Sequence, residues 1–156
     1  MRRKPQVDIL VISLSAPLQI GIYEAGMLLQ SYRSEEKTSE ILPRLMEEIM
    51  HSYEPQRLFY ARGPGSFMAI KVTYLFLKTL SVALDLPLQA TDGFRFNRNS
   101  PIKAVGSLYF SKENGKISAR KIEIDKEKIE PFRLPERLEY EIFSDESEPL
   151  YILPAV

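Results

Sequence analysis

The residues best placed to do chemistry lie in one short run, Arg62-Gly63-Pro64-Gly65-Ser66-Phe67. An apolar strand, Leu58-Phe59-Tyr60-Ala61, leads in, and a long oily stretch ending at Asp85 leads out. Glycine reaches positive φ at little cost and proline fixes φ near −65°, so Gly63, Pro64 and Gly65 predict a tight strand-to-helix turn. Ser66 stands where an N-cap belongs, its hydroxyl able to accept from a free amide of the first helical turn. Such a turn could cradle a phosphate, because backbone amides and a helix N-terminus present positive charge. The spacing is not that of a P-loop, Gly-x-x-x-x-Gly-Lys-Ser/Thr. Nor is it a nucleophile elbow, Gly-x-Ser-x-Gly. We read Gly63, Pro64 and Gly65 as turn geometry and Ser66 as a helix cap, with no cofactor bound there.

Little else forms a reactive set. His51 is the only histidine, and a lone imidazole cannot complete the usual two- or three-histidine metal site. Near the end of a helix it suits the dipole instead. The chain has no cysteine, which removes disulfides, thiolate zinc sites and cysteine nucleophiles and fits a reducing compartment. There is no His-Glu-x-x-His and no serine triad, so nothing supports a protease. A metal-nucleotide enzyme would have to draw on Asp8 and Asp92, the acidic residues conveniently placed at strand ends.

The totals narrow the class. A chain of 156 residues suits one domain or two small lobes, and 44% hydrophobic with 27% charged residues is an ordinary globular composition. Twenty-one basic residues balance 21 acidic ones, which argues against a strongly cationic nucleic-acid surface. Arg2-Arg3-Lys4 before Ile9-Leu10-Val11-Ile12 faintly suggests a signal peptide, but Asp8, Pro17 and Gln19 interrupt it. Only the stretch after Ser66 approaches the ~20 apolar residues of a membrane span, and Lys71 and Lys78 break it. We expect a soluble, cytoplasmic protein without a membrane partner.

The elements that must position the turn follow from periodicity. Val7 to Leu14 reads as a central strand buried on both faces. Leu18, Ile20 and Ile22 alternate with Gln19, Gly21 and Tyr23 as a half-buried strand should, and Met27 to Arg33 gives a third. Ile41, Leu42, Leu45, Met46, Ile49, Met50 and Tyr53 recur at helical spacing after Thr38 or Ser39. Leu86 to Thr91 closes a β-β-β-α-β-α-β order. Asp92 to Ser100 is polar and irregular, a candidate boundary between a lobe over 1–92 and a short lobe over 93–156. In the latter, Ile102 to Ser111 and Lys116 to Ile124 flank Asn114-Gly115, a strong hairpin signal. Beyond Asp125 the chain turns to Glu, Lys and Pro, with Leu150 to Leu153 a candidate edge strand.

This order and three groups of residues resemble the TsaB (YeaZ) family. The family's turn and helix start run Arg-Gly-Pro-Gly-Ser-Phe-Thr-Gly-Leu-Arg, and here the positions read Arg62-Gly63-Pro64-Gly65-Ser66-Phe67-Met68-Ala69-Ile70-Lys71. Thr38-Ser39-Glu40-Ile41-Leu42-Pro43 keeps all but the histidine of the family's first helix start, and Leu86-Pro87-Leu88 matches its short strand. The resemblance spans about Ile9 to Asp92. It implies an α/β protein with the actin-like ATPase (RNase H-like) fold: a β-β-β-α-β-α-β lobe and a reduced second lobe. It implies a non-enzymatic subunit that pairs with a TsaD-type catalytic subunit for threonylcarbamoylation of adenosine in tRNA. ATP and metal would belong to that partner, a TsaE-type ATPase is a further candidate partner, and tRNA would be met only through the complex. Alone, the chain would form a homodimer. One departure bears on chemistry: the family's Ile-Asp-Thr-Ser is Ile12-Ser13-Leu14-Ser15 here, which removes an acidic residue from the first strand.

The helix after Ser66 carries the sharpest expectation. A surface helix usually shows one apolar stripe, yet here Phe67, Tyr74, Leu75 and Val82 surround Lys71 and Lys78 while Met68, Val72, Phe76, Leu80 and Ala83 lie on other sides. One side can pack on the sheet and a second is left over for an interface. By resemblance that interface comprises Ser39, Glu40, Leu42, Leu45, Met46 and Ile49 on the first helix. Phe67, Lys71, Tyr74, Leu75 and Lys78 supply the second. The alternatives are a free-standing actin-like ATP-dependent enzyme, a small-molecule kinase or ATPase, and a homodimeric structural protein of the same fold.

Overall fold

The computed structural model describes residues 3–152. Strands β1 (Gln6–Ile12), β2 (Leu18–Glu24) and β3 (Met27–Ser34) form an antiparallel meander, followed by α1 (Thr38–Ser52), β4 (Glu54–Ala61), α2 (Phe67–Leu84) and β5 (Leu88–Thr91). They make one five-stranded sheet in the order β3-β2-β1-β4-β5, with β4 parallel to β1 and β5 parallel to β4. Both crossovers step in the same direction across the sheet, so their common right-handedness puts α1 and α2 on one face. Ile9, Val11, Leu58 and Tyr60 carry that face, where Tyr60 stacks on Tyr74 of α2 at 6.3 Å.

The opposite face is closed by the chain's own C-terminal segment. Gln19 Nε2 donates to the Phe132 carbonyl (2.8 Å), Tyr23 Oη to the Pro135 carbonyl (2.6 Å), and Phe59 packs against Tyr140 and Phe143 at 5.8 and 4.7 Å. This strap is why β2 is buried on both faces from Leu18 to Tyr23, although its alternation reads as half-buried. Gly21 is needed beneath it, since a Cβ there would lie 2.7 Å from the Tyr23 ring and 3.2 Å from Leu134. Burial raises the Tyr23 phenol above its ordinary range.

Under the strap sits a buried charge. Asp8 is fully buried and takes a two-pronged ion pair from Arg57, Nε to Oδ1 at 2.8 Å and Nη2 to Oδ2 at 2.9 Å. Tyr140 Oη donates to the same carboxylate, and the Arg57 guanidinium lies 4.5 Å from the Tyr140 ring centre. Charge-assisted forks of this kind satisfy an ion that burial would otherwise strand. Desolvation first, then the hydrogen bond to Asp8, push the Tyr140 phenol up to about 12.

Residues 93–152 divide between two places. A three-stranded sheet, β6 (Ile102–Lys103), β7 (Leu108–Glu113) and β8 (Lys116–Lys121), forms the smaller unit, with Asn114 and Gly115 at φ 51° and 80° in its hairpin. The single strand expected over 102–111 is broken at Ala104–Ser107, where Gly106 has φ 58°. Residues beyond Ile129 return to the first sheet. The irregular segment from Asp92 is no free linker: Phe94, Phe96 and Asn97 are buried, and Lys112 pairs with Asp92 at 2.6 Å. Leu150 donates its N–H to the Arg62 carbonyl (2.9 Å) without forming a strand through Ile152; Leu153 and Pro154 lie outside the described residues.

Candidate partner-binding surface

The Arg62–Phe67 turn is built for close approach. Gly63 has φ 135°, a region hostile to side chains, and a Cβ on Gly65 would lie 2.6 Å from the Leu14 carbonyl oxygen. One amide that might cradle an anion is spent internally, since Ser66 donates its N–H to the Leu14 carbonyl (2.8 Å), and the Gly63 carbonyl accepts from the Gly93 N–H (2.8 Å). Pro64 is buried within the turn. Arg62, its side chain 15% exposed, donates Nε to the Glu148 carbonyl (2.6 Å) and so pins the end of the strap. One expectation is corrected. Ser66 occupies the N-cap position of α2, but its hydroxyl makes no capping hydrogen bond; the residue is held through its backbone N–H to Leu14 instead.

What the turn launches is an apolar helix with an open side. Of α2's 18 residues, Ile70, Thr73 and Leu77 are buried. Thr73 shares a buried hydrogen bond with Ser13 (2.7 Å), and Tyr74, Phe76 and Leu80 pack partly against the core. The outer side carries Phe67, Met68 (66% exposed), Leu75 (53%) and Val82 (72%), with Lys71 and Lys78 among them; Leu84 is exposed at the helix end beside Met50 and Tyr53. By length and a mean hydropathy of 1.5 this helix could cross a membrane. As the crossover between two paired parallel strands, it is held against the sheet.

Helix α1 behaves differently, and half of its expected interface is corrected. Leu42, Met46 and Ile49 are fully buried in the core with Ile41. Its apolar stripe is one face wide, and the sheet consumes it. Ser39 and Glu40 are exposed, while Leu45 and, on α2, Tyr74 are half-buried. Helix α1 runs unbroken through Pro43. The surface that remains is therefore α2's outer side, flanked by the N-terminal turn of α1. Val82 belongs to it, as its place beside Phe67 and Leu75 in the sequence suggests, and so does Met68, which the sequence pattern sets on another side.

A cleft of about 510 Å3 opens between the N-terminal ends of the two helices, beyond the C-terminal end of β1. Ser13, Ser15, Ser39, Ser66, Met68 and Val72 line it with Glu36 and Lys37. Crevices beyond the carboxyl ends of strands are where α/β sheets hold ligands. The acids a nucleotide enzyme would use lie elsewhere: Asp8 is locked to Arg57 under the strap, and Asp92 is taken by Lys112 and the Phe94 N–H. Among the described residues, no group of three or more His, Cys, Asp or Glu side chains gathers to hold a metal.

Comparison with known proteins adds to this geometry. No protein-family model and no curated protein matches the sequence. Among solved structures, YeaZ from Pseudomonas aeruginosa superposes with a TM-score of 0.54 at 14% identity, over 74% of this chain and 64% of that one. The chain has the YeaZ fold. A second structure, of an uncharacterized protein from the same organism described as similar to the peptidase YeaZ, gives the same TM-score and identity over 63% of its length. This chain thus spans about 64% of the YeaZ chain it matches. The architecture is the actin-like, RNase H-like α/β fold, as the resemblance implied.

Proposed function

We propose that this chain is a TsaB-type accessory subunit that pairs, through α2, with a TsaD-type catalytic subunit for threonylcarbamoylation of adenosine in tRNA. The observation that carries the reading is α2's outer side, where Phe67, Met68, Leu75 and Val82 stand exposed together. The YeaZ fold and the Arg62–Phe67 run give the surface its family context. Phe67, Lys71, Leu75 and Lys78 would meet the partner, with half-buried Tyr74 beneath them and Ser39, Glu40 and Leu45 at the margin. Each Leu or Phe so buried contributes about 1.5–3 kcal/mol before association costs. ATP, metal and chemistry would reside on the partner, a TsaE-type ATPase would join through the complex, and tRNA modification would place all of it in the cytoplasm.

The same open face favours a second reading, self-association of two copies when no partner is present. Co-expression with the TsaD-type protein of the same organism separates the two. The account expects a heterodimer that survives size-exclusion chromatography at micromolar concentration in preference to the homodimer. Failure to associate contradicts it. Tight Mg-ATP binding with turnover by the isolated chain would favour the ATP-dependent enzyme instead.

A further inference from the structure

On the sheet face opposite α2, a cleft of about 350 Å3 lies between the 93–99 segment and the strap. Arg95 and Arg98 enter it from the segment and Arg137 from the strap. All three are exposed at its mouth, and among the described residues none has a carboxylate within 4.0 Å. Buried Phe94 and Leu138 contribute apolar lining.

Both walls are braced. Asp92 accepts from the Phe94 N–H (2.9 Å), Asn99 donates its N–H to the Phe94 carbonyl (3.0 Å), and the Phe96 carbonyl accepts from Arg133 (2.9 Å). Arg137 forms a β-bridge with Met27, and Leu138 donates to the Gly26 carbonyl (2.8 Å). The backbones carrying the guanidinium groups are therefore held before any ligand arrives, which lowers the ordering cost of binding.

Charge distribution points the same way. The chain has no net charge, yet the lining of this cleft holds Arg95, Arg98 and Arg137 against Glu139 alone, three positive charges less one negative, a net of +2. Three unpaired guanidiniums around one cleft repel one another, and an anion relieves that repulsion. A planar fork of N–H donors matches phosphoryl oxygens two at a time, which an ammonium does not. Glu139 at the same mouth offsets one positive charge and leaves an excess suited to a phosphate rather than a neutral ligand.

We propose that the Arg95–Arg98–Arg137 cleft binds a phosphate ester, supplied either by a free nucleotide or by the backbone of an RNA. It needs no partner subunit, so it can be tested on the isolated full-length chain whatever becomes of pairing through α2. Backbone amide NMR spectra would be recorded with inorganic phosphate, adenosine 5′-monophosphate and adenosine. Binding of a fluorescein-labelled tRNA transcript would be followed by anisotropy.

The expected result is that the phosphate-bearing probes shift the amides of residues 94–99 and 137–139 while adenosine does not. Arg95→Gln, Arg98→Gln and Arg137→Gln should each weaken binding about tenfold, and Glu139→Gln should strengthen it. Unchanged amide positions elsewhere would show that each variant folds. Parallel loss of transcript binding identifies RNA as the source; loss confined to the mononucleotide identifies a free nucleotide. If no phosphate-bearing probe moves these amides, or the three arginine variants bind as the parent does, the proposal is overturned.

Discussion

The two faces of the five-stranded sheet are closed in different ways. One is sealed by the chain itself, the strap laying Phe132, Leu134, Leu138, Tyr140 and Phe143 over β1, β2 and β4 and locking Asp8 to Arg57 beneath. The other is covered by α1 and α2, and only α1 is finished on its outside, with Glu40, Arg44, Glu47 and Glu48 exposed to water. Helix α2 shows Leu75 and Val82 where α1 shows glutamates. Two helices at equivalent places in one crossover pattern therefore have different outer surfaces, and an exposed apolar one is the kind that marks an interaction site.

Substitutions can break this contrast. The largest effect is expected on the sealed face: Arg57→Ala leaves the buried Asp8 carboxylate with Tyr140 as its remaining side-chain partner and should cost about 3–5 kcal/mol in urea unfolding. On the helix face, Leu42→Ala removes a fully buried side chain and should cost about 3 kcal/mol. Tyr140→Phe should cost about 1.5 kcal/mol by loss of its bond to Asp8, and it also carries a pH signature. The folded phenol is raised to about 12 from an unfolded value near 10. Above pH 10 the unfolded state loses the proton first, so this stabilisation is full below 10 and declines as pH rises toward 12. Tyr140→Phe should flatten that decline. Smallest of all, Leu75→Glu should change stability by no more than about 0.5 kcal/mol, because its side chain is exposed. A large loss of stability there would dissolve the contrast.

The order of elements in the first 92 residues was legible because each is local: alternation for β2, helical spacing for α1, glycine turn for α2. What escaped depends on contacts across long separations. Gln19 meets Phe132 and Tyr23 meets Pro135, more than 100 residues away, and nothing periodic in a Glu- and Pro-rich tail announces that it will bury a strand. Asp8 within an apolar run was a signal of a buried ion pair, but its partner could not be named from spacing. For the interface, the sequence pointed to α2, and the structure leaves that helix's outer side exposed and apolar. It overcounted α1, because a single apolar stripe can serve the core or a partner and periodicity alone does not say which. Leu42, Met46 and Ile49 went to the core. The arginine cleft joins residues about 40 positions apart, and composition averaged over a neutral chain hid it.

The most direct test of the central claim is Leu75→Glu in the co-purification with the TsaD-type subunit, with Arg44→Glu on the charged outer side of α1 as the companion. The account predicts that Leu75→Glu abolishes the heterodimer while leaving the urea midpoint of the isolated chain unchanged, and that Arg44→Glu retains it. A heterodimer that forms equally well with Leu75→Glu would contradict it.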